Sequence, residues 1–444
     1  MRVKMTFAVL ALAAIVGALP ATAAAGGSRV IHVAPGESIQ AAIDKAKPGT
    51  TIKLEEGKYE ESVKISKSDI SIRGEGRKKT EIAVPDAAGL PAGAGCVEEH
   101  EGQTAVSGIC VSPEAEGQCE NSPRVTGPDA PPVVKAIDDV EISKLAVTGY
   151  TGDGVIYFCA DDPEVTRVLA KGAEGSAYAV AAFASEDVEF TRNLVVNGEE
   201  AGIYIGDSPH ADATVWKNVA WNNGFGIFLR DAAHGKAADN KTFGNCLGIL
   251  VLNTDESDRP PEFQSPPIDA KDWLLEDNNV TANNRACAGG DEGGPISGIG
   301  IAIVSGIGNR VIDNGVFGND STAESEGHAG IVVLSEGALL ARDNTVAFNT
   351  AFGNTTDIVW DEQGAGNRFF RNDCLTSQPD GLCEDPDEIG DGEHGDDGDR
   401  DEHSHKGDKR GDDKRKHAKS EKHRKHKHKK SKKHRKHRKH ERDD

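Results

Sequence analysis

Two stretches of this chain carry residues that could do acid–base chemistry. After Gly202-Ile203 the sequence reads Tyr204-Ile-Gly-Asp207-Ser-Pro-His210, and after Gly226-Ile227 it reads Phe228-Leu-Arg230-Asp231-Ala-Ala-His234. Asp207 and Asp231 stand 24 residues apart, as do His210 and His234. If one structural period separates them, both pairs stack, with Arg230 alongside. Two carboxylates at strand spacing repel, so one holds its proton to higher pH or the pair recruits a cation. Such a pair could act as acid and base on a glycosidic bond, or hold Ca²⁺. Asp207, Asp231, Arg230, His210 and His234 are therefore the candidate catalytic set, and Asp207 and Asp231 the candidate metal ligands. The competing reading is a solvated Asp-x-x-His turn, repeated by duplication.

The elements that must position these residues follow from the same alignment. Gly-Ile steps begin at residues 202, 226 and 248, and recur at 300, 330 and, as Asp-Ile, 357. Successive spacings are 24, 22, 52, 30 and 27, the excess falling in inserts such as 254–272. A period in the low twenties with several short alternating strands per unit marks a solenoid. Leucine is too scarce at the required positions for leucine-rich repeats, which leaves a right-handed parallel β-helix. The Asp position then reads Asn253, Ser305 and Ser335 on later coils.

Asparagine recurs with this period. Asn218, Asn240, Asn279, Asn314 and Asn344 are each followed five residues on by Asn223, Asn245, Asn284, Asn319 and Asn349. Stacked amides hydrogen-bond from coil to coil, and Asn tolerates a left-handed corner, so these residues are read as architectural. Upstream, Ile39, Ala42, Ile43 and Ala46 give one short amphipathic helix, stopped by Pro48-Gly49. Alternating pairs follow at Ile52/Leu54, Val63/Ile65 and Ile70/Ile72.

The opening from Val33 to Tyr59, V-x-P-G-x-S-I-Q-A-A-I-D-x-A-x-P-G-T-T-I-x-L-x-x-G-x-Y, resembles the N-terminal cap of the pectate-lyase-like superfamily. The body resembles the right-handed parallel β-helix repeats of its NosD-like, carbohydrate-binding and sugar-hydrolase group. The resemblance implies an all-β solenoid of about ten coils behind a short capping helix. It implies a carbohydrate-related role without choosing an activity.

Composition sets the boundaries. Residues 1–25 read as a signal peptide: Arg2 and Lys4, an apolar run from Met5 to Leu19, then small residues. Residues 28–383 form the β-helix, and 384–444 a disordered tail, acidic first and then rich in Lys, Arg and His. The tail holds 18 acidic and 21 basic side chains, leaving 55 acidic and 30 basic before it. No later segment is apolar enough to cross a bilayer, so a secreted or cell-wall-associated monomer is expected. Export makes the eight cysteines disulfide formers, with Cys374 paired to Cys383 across Pro379-Asp-Gly381, and Cys246 to Cys287.

Secondary candidates complete the reading. Tyr204, Trp221, Phe228 and Trp360 could stack on sugar rings. Gly327-His-Ala-Gly330 resembles a polygalacturonase Gly-His-Gly stretch with Ala inserted, and Asp138-Asp139 and Asp161-Asp162 read as solvated pairs. His417, His423, His426, His428, His434, His437 and His440 could bind transition metals, and the basic run around them polyanions. Nucleic acid is disfavoured by the lack of aromatics there and by export. The first functional expectation is a carbohydrate-binding or surface module of the cell envelope. The alternatives are a polysaccharide lyase or glycoside hydrolase using the Asp pair, and a NosD-like accessory protein.

Overall fold

We describe a computed structural model of the chain, over residues 29–90, 95–100, 103–122, 130–254, 268–288, 294–325 and 327–384. The expected signal peptide, and the tail with its histidines from residue 385 on, lie outside the described residues. The architecture is a right-handed parallel β-helix. Each coil contributes one strand to each of three stacks, named sheets I, II and III in chain order.

One coil shows the pattern. Ala213–Trp216 lies in sheet I, Val219–Trp221 in sheet II, and Phe225–Ala238 begins in sheet III. This last strand is 14 residues long and continues around the corner into sheet I of the next coil. It joins sheets I and III into one 22-stranded sheet, beside an 11-stranded sheet II. The helix Ile39–Lys45 covers the first coils with Ile39, Ala42 and Ile43, and Ser38 caps it by accepting from the Ala41 N–H.

Period-two alternation explains the core. Along sheet III, Ile203, Ile227, Ile249, Ile301, Ile331 and Ile358 pair in register and point inward, fully buried. The glycine before each of these isoleucines except Ile358, which follows Asp357, has a steric cause. A Cβ on Gly226 would come 2.5 Å from the Gly248 carbonyl oxygen, and one on Gly248 the same distance from that of Gly300. The outer face of sheet III is also apolar, with Tyr204, Phe228, Leu250 and Val332 forming a second cluster.

Corners use left-handed backbone and buried amides. From sheet I to sheet II the chain turns through one left-handed residue and then an Asn, giving the ladder Asn193–Asn218–Asn240–Asn278–Asn314–Asn349–Asn372. Each of the ladder residues from Asn218 to Asn349 accepts from the backbone N–H of the rung before it and donates to a carbonyl. A second ladder runs Asn223–Asn245–Asn283–Asn319–Asn354, and a third Asn309–Asn344–Asn367. The sequence spacing misassigned four members. Asn278 and Asn283 carry the rungs in place of Asn279 and Asn284, because Asn is doubled at those two corners, and the last pair falls one ladder off, Asn344 joining Asn309 and Asn349 joining Asn314.

Four disulfides are closed: Cys96–Cys110, Cys119–Cys159, Cys246–Cys287 and Cys374–Cys383. Among the described residues no helix is long and apolar enough to cross a membrane.

Candidate functional site

Asp207 and Asp231 end two neighbouring strands of sheet III. Gly206 pairs with Arg230 and Ser208 with Ala232, which places the two Asp on adjacent rungs. Both have left-handed backbone, with φ of 56° and 46°. Strand spacing puts the rungs about 4.8 Å apart. Asn253, Ser305 and Ser335 continue the column, as the alignment indicated.

Asp231 is the chemically unusual member. Its side chain is 6% exposed, Thr254 donates its backbone N–H to Oδ1 at 2.8 Å, and Arg230 Nε lies 3.5 Å from Oδ2. Burial pushes its carboxyl up to about 6, helped by Asp207 and opposed by Thr254 and Arg230. Arg230 Nε also donates to Thr254 Oγ1 at 3.0 Å. Tyr204 packs among Tyr178, Phe183 and Phe228, its ring centroid 4.5, 4.6 and 5.3 Å from theirs. Its hydroxyl lies over Gly206, where an added Cβ would collide with it. Burial raises the phenol well above its ordinary value, and the charges of Asp207, Arg230 and Asp231 also act on it.

The histidines do not stack. Ser208 pairs with Ala232 but Ala213 pairs with Gly235, so the turn carrying His210 is two residues longer than the turn carrying His234. Counted back from Ala213, the rung of His234 is Asp212. His234 Nδ1 lies 3.5 Å from Asp272 Oδ2, whereas His210 sits on an exposed turn whose charge acts on Glu186. The equal 24-residue spacing concealed this, because an insertion in one turn is invisible when only its ends are counted.

The donors present do not suit Ca²⁺. Arg230 stands beside Asp231, and among the described residues no group of three or more His, Cys, Asp or Glu could hold a metal ion. Tyr204 and Phe228 are fully buried and unavailable to stack on sugar, while Trp221 is half-buried against Phe243 and Trp360 against Phe369. His328 Nδ1 is 3.0 Å from the Ser297 carbonyl, a structural contact. Asp139 and Asp162 are corner residues with left-handed backbone. Sequence reasoning missed Thr254, whose position at the start of the 254–272 insert gave no signal, and the proximity of Tyr204 to the Asp pair, which Gly206 could have indicated.

Residues 156–351 match the family model described as "Right handed beta helix region". This chain has the right-handed parallel β-helix fold. No curated protein matches the β-helix in sequence. Among solved structures, it is similar to the A-module of the mannuronan C-5 epimerase AlgE4 of Azotobacter vinelandii, at 17% identity over 77% of this chain and 91% of that one, with a TM-score of 0.45. It is similar to the DFA-IIIase of Arthrobacter chlorophenolicus A6 without its lid, at 15% identity over 79% and 99%, with a TM-score of 0.48. Likeness at this level carries nothing about activity.

Proposed function

We propose that this β-helix acts on a carbohydrate polymer at the end of sheet III, with Asp231 as the proton carrier, Arg230 as its electrostatic partner and Asp207 on the neighbouring rung. The observation that supports this is the buried Asp231 carboxyl, pushed up to about 6 with a guanidinium 3.5 Å away. A carboxyl poised there can give or take a proton near neutral pH. Arg230 would offset negative charge on the substrate, and Asp207 supplies the second carboxylate that acetal chemistry uses. Four disulfides fit a chain folded in an oxidising compartment, outside the cell or in its envelope.

The test incubates the full chain with neutral and anionic polysaccharides and follows reducing ends and unsaturated ends separately. Activity with a pH limb near 6, lost in Asp231→Asn and reduced in Arg230→Gln, is expected. Activity indifferent to Asp231→Asn sinks the reading. A second reading, a non-catalytic binding module, is favoured by the low exposure of Asp231 and the engagement of both its oxygens. Binding without products in any arm would select it.

A further inference from the structure

The corner from sheet I to sheet II carries one left-handed residue per coil. Reading one residue beyond the paired Ser143, Thr166, Thr191 and Trp216, these are Lys144, Arg167, Arg192 and Lys217, with φ between 55° and 58°. The next five rungs are Asp239, Asp277, Asp313, Phe348 and Arg371. The other corner, from sheet III to sheet I, is an internal control. There the left-handed residues are Asp69, Asp139, Asp162, Asp187, Asp212, Asp272 and Asp343, with His234 and Gly308 intervening. Left-handed backbone favours Asp, Asn and Gly. The turn therefore explains the Asp column and does not explain four consecutive long cations.

These cations are also concentrated and held. Arg77 reaches the same corner, donating from Nη1 to the Arg192 carbonyl at 3.3 Å, and burial together with Arg167 lowers its proton affinity. Trp216 is half-buried, with the Arg192 guanidinium 4.6 Å and Lys217 Nζ 4.3 Å from its ring centroid. Its indole N–H donates to Asp239 at 2.7 Å, which fixes the ring at the end of the basic run. Arg167, Arg192 and Lys217 are exposed, and among the described residues no carboxylate forms an ion pair with them. Glu141, Glu164 and Glu189 form a parallel column three residues upstream.

We propose that this corner is a binding ladder for a linear anionic polysaccharide, whose carboxylates or sulfates pair with Arg167, Arg192 and Lys217 on successive rungs. Four rungs span about 14 Å at strand spacing. A chain of pyranose rings bearing one charge per sugar repeats at nearly that interval, so each rung meets its own anion. Nucleic acid fits less well, because the one aromatic on the ladder is occupied by cations and offers no base-stacking face. The ladder stands on sheet I and the candidate site at the end of sheet III, so the outcome does not depend on whether Asp231 transfers protons.

The test uses the full chain, because its basic tail must be present equally in every arm. Affinity for labelled polyuronate, heparin, a neutral glucan and single-stranded DNA is measured by fluorescence anisotropy across salt. The ladder variant is Arg167→Gln/Arg192→Gln/Lys217→Gln, and the charge-matched control is Arg29→Gln/Lys45→Gln/Lys47→Gln. The ladder variant should lose tenfold or more in affinity for one anionic glycan, with the salt slope falling by about three, while the control loses less than about twofold. Comparison of polyuronate with heparin assigns carboxylate or sulfate. The bound glycan should also protect Lys217 from amine acylation, read by mass spectrometry, and unchanged thermal melting confirms that the variant folds. Equal losses in both variants, or no protection of Lys217, overturn the proposal, and tighter binding of DNA than of either glycan gives the ladder to nucleic acid instead.

Discussion

At the level of single residues, buried polar groups carry the most distinctive energetics. Asn278 donates to the Ala237 carbonyl and to Asn314, and accepts from the backbone and side chain of Asn240 at 3.0 Å. Asn278→Ala strands these partners inside the helix and should cost about 3 kcal/mol. The adjacent Asn279 is exposed and, among the described residues, its side chain accepts from Thr281 alone, so Asn279→Ala should be nearly neutral. Thermal melting of the two variants checks this, and equal losses would refute the ladder. Sequence spacing could place an Asn at every corner but could not choose between neighbours in a doubled Asn-Asn, since only burial separates them. Asp153 offers a pH test. It is buried, it accepts from the Tyr178 N–H, and burial pushes its carboxyl up to about 7. A folded-state value above the unfolded one near 4 means that the native state holds the extra proton between them. The stability this contributes is full below about pH 4 and is lost as pH rises through about 7. Asp153→Asn keeps an acceptor and removes the titration. It should melt higher than the parent at pH 8, by an amount on the order of 3 kcal/mol, and lose that advantage at pH 4. Parallel melting curves against pH would show that Asp153 is not what titrates.

Strands and corners were the most legible level. The Gly-Ile step predicted the register of sheet III from Ile203 to Ile331, because the close approach of each glycine to the next rung's carbonyl leaves no room for a side chain, and the Asp357-Ile358 step continued it on the last coil. The helix Ile39–Lys45 was legible from its 3.6-residue period and its stop at Pro48-Gly49. The His210–His234 stacking failed at the same level, since turns of different length separate the Asp position from the next strand. Inserts between strands are held by cysteines, and their loops differ in length. Cys246–Cys287 spans a separation of 41 residues and Cys374–Cys383 one of 9. In the chain-entropy picture the longer loop contributes about 1 kcal/mol more. Replacing Cys246 and Cys287 by Ser should therefore lower the melting temperature further than replacing Cys374 and Cys383. The reverse order would mean that native contacts around the terminal coil, and not loop closure, set the disulfides' contribution.

Across the whole molecule, stacked coils convert a sequence period into columns of like side chains, and charge makes those columns interact. Each coil contacts mainly its neighbours, so a residue type favoured by one corner recurs along the axis. For the corner from sheet III to sheet I this produces seven left-handed aspartates, and Asp162 shows the consequence. Burial raises its carboxyl first, and Asp187 and Asp139 on the flanking rungs raise it further. The sequence revealed the excess of 55 acidic over 30 basic side chains before residue 384, but not their alignment, because inserts of unequal length hide which Asp share a rung. Repulsion within such columns acts over distances that salt controls, the screening length falling from about 30 Å at 0.01 M to about 3 Å at 1 M. Among the described residues few exposed ion pairs oppose this term, and each contributes little. Raising NaCl from about 0.01 M to about 0.5 M should therefore raise the melting temperature by several degrees, with most of the gain below about 0.2 M. Replacing Asp139, Asp162 and Asp187 by Asn, which the left-handed backbone accepts, should raise the low-salt melting temperature and flatten its salt dependence together. A low-salt melting temperature that stays put in that variant would place the repulsion elsewhere on the acidic surface.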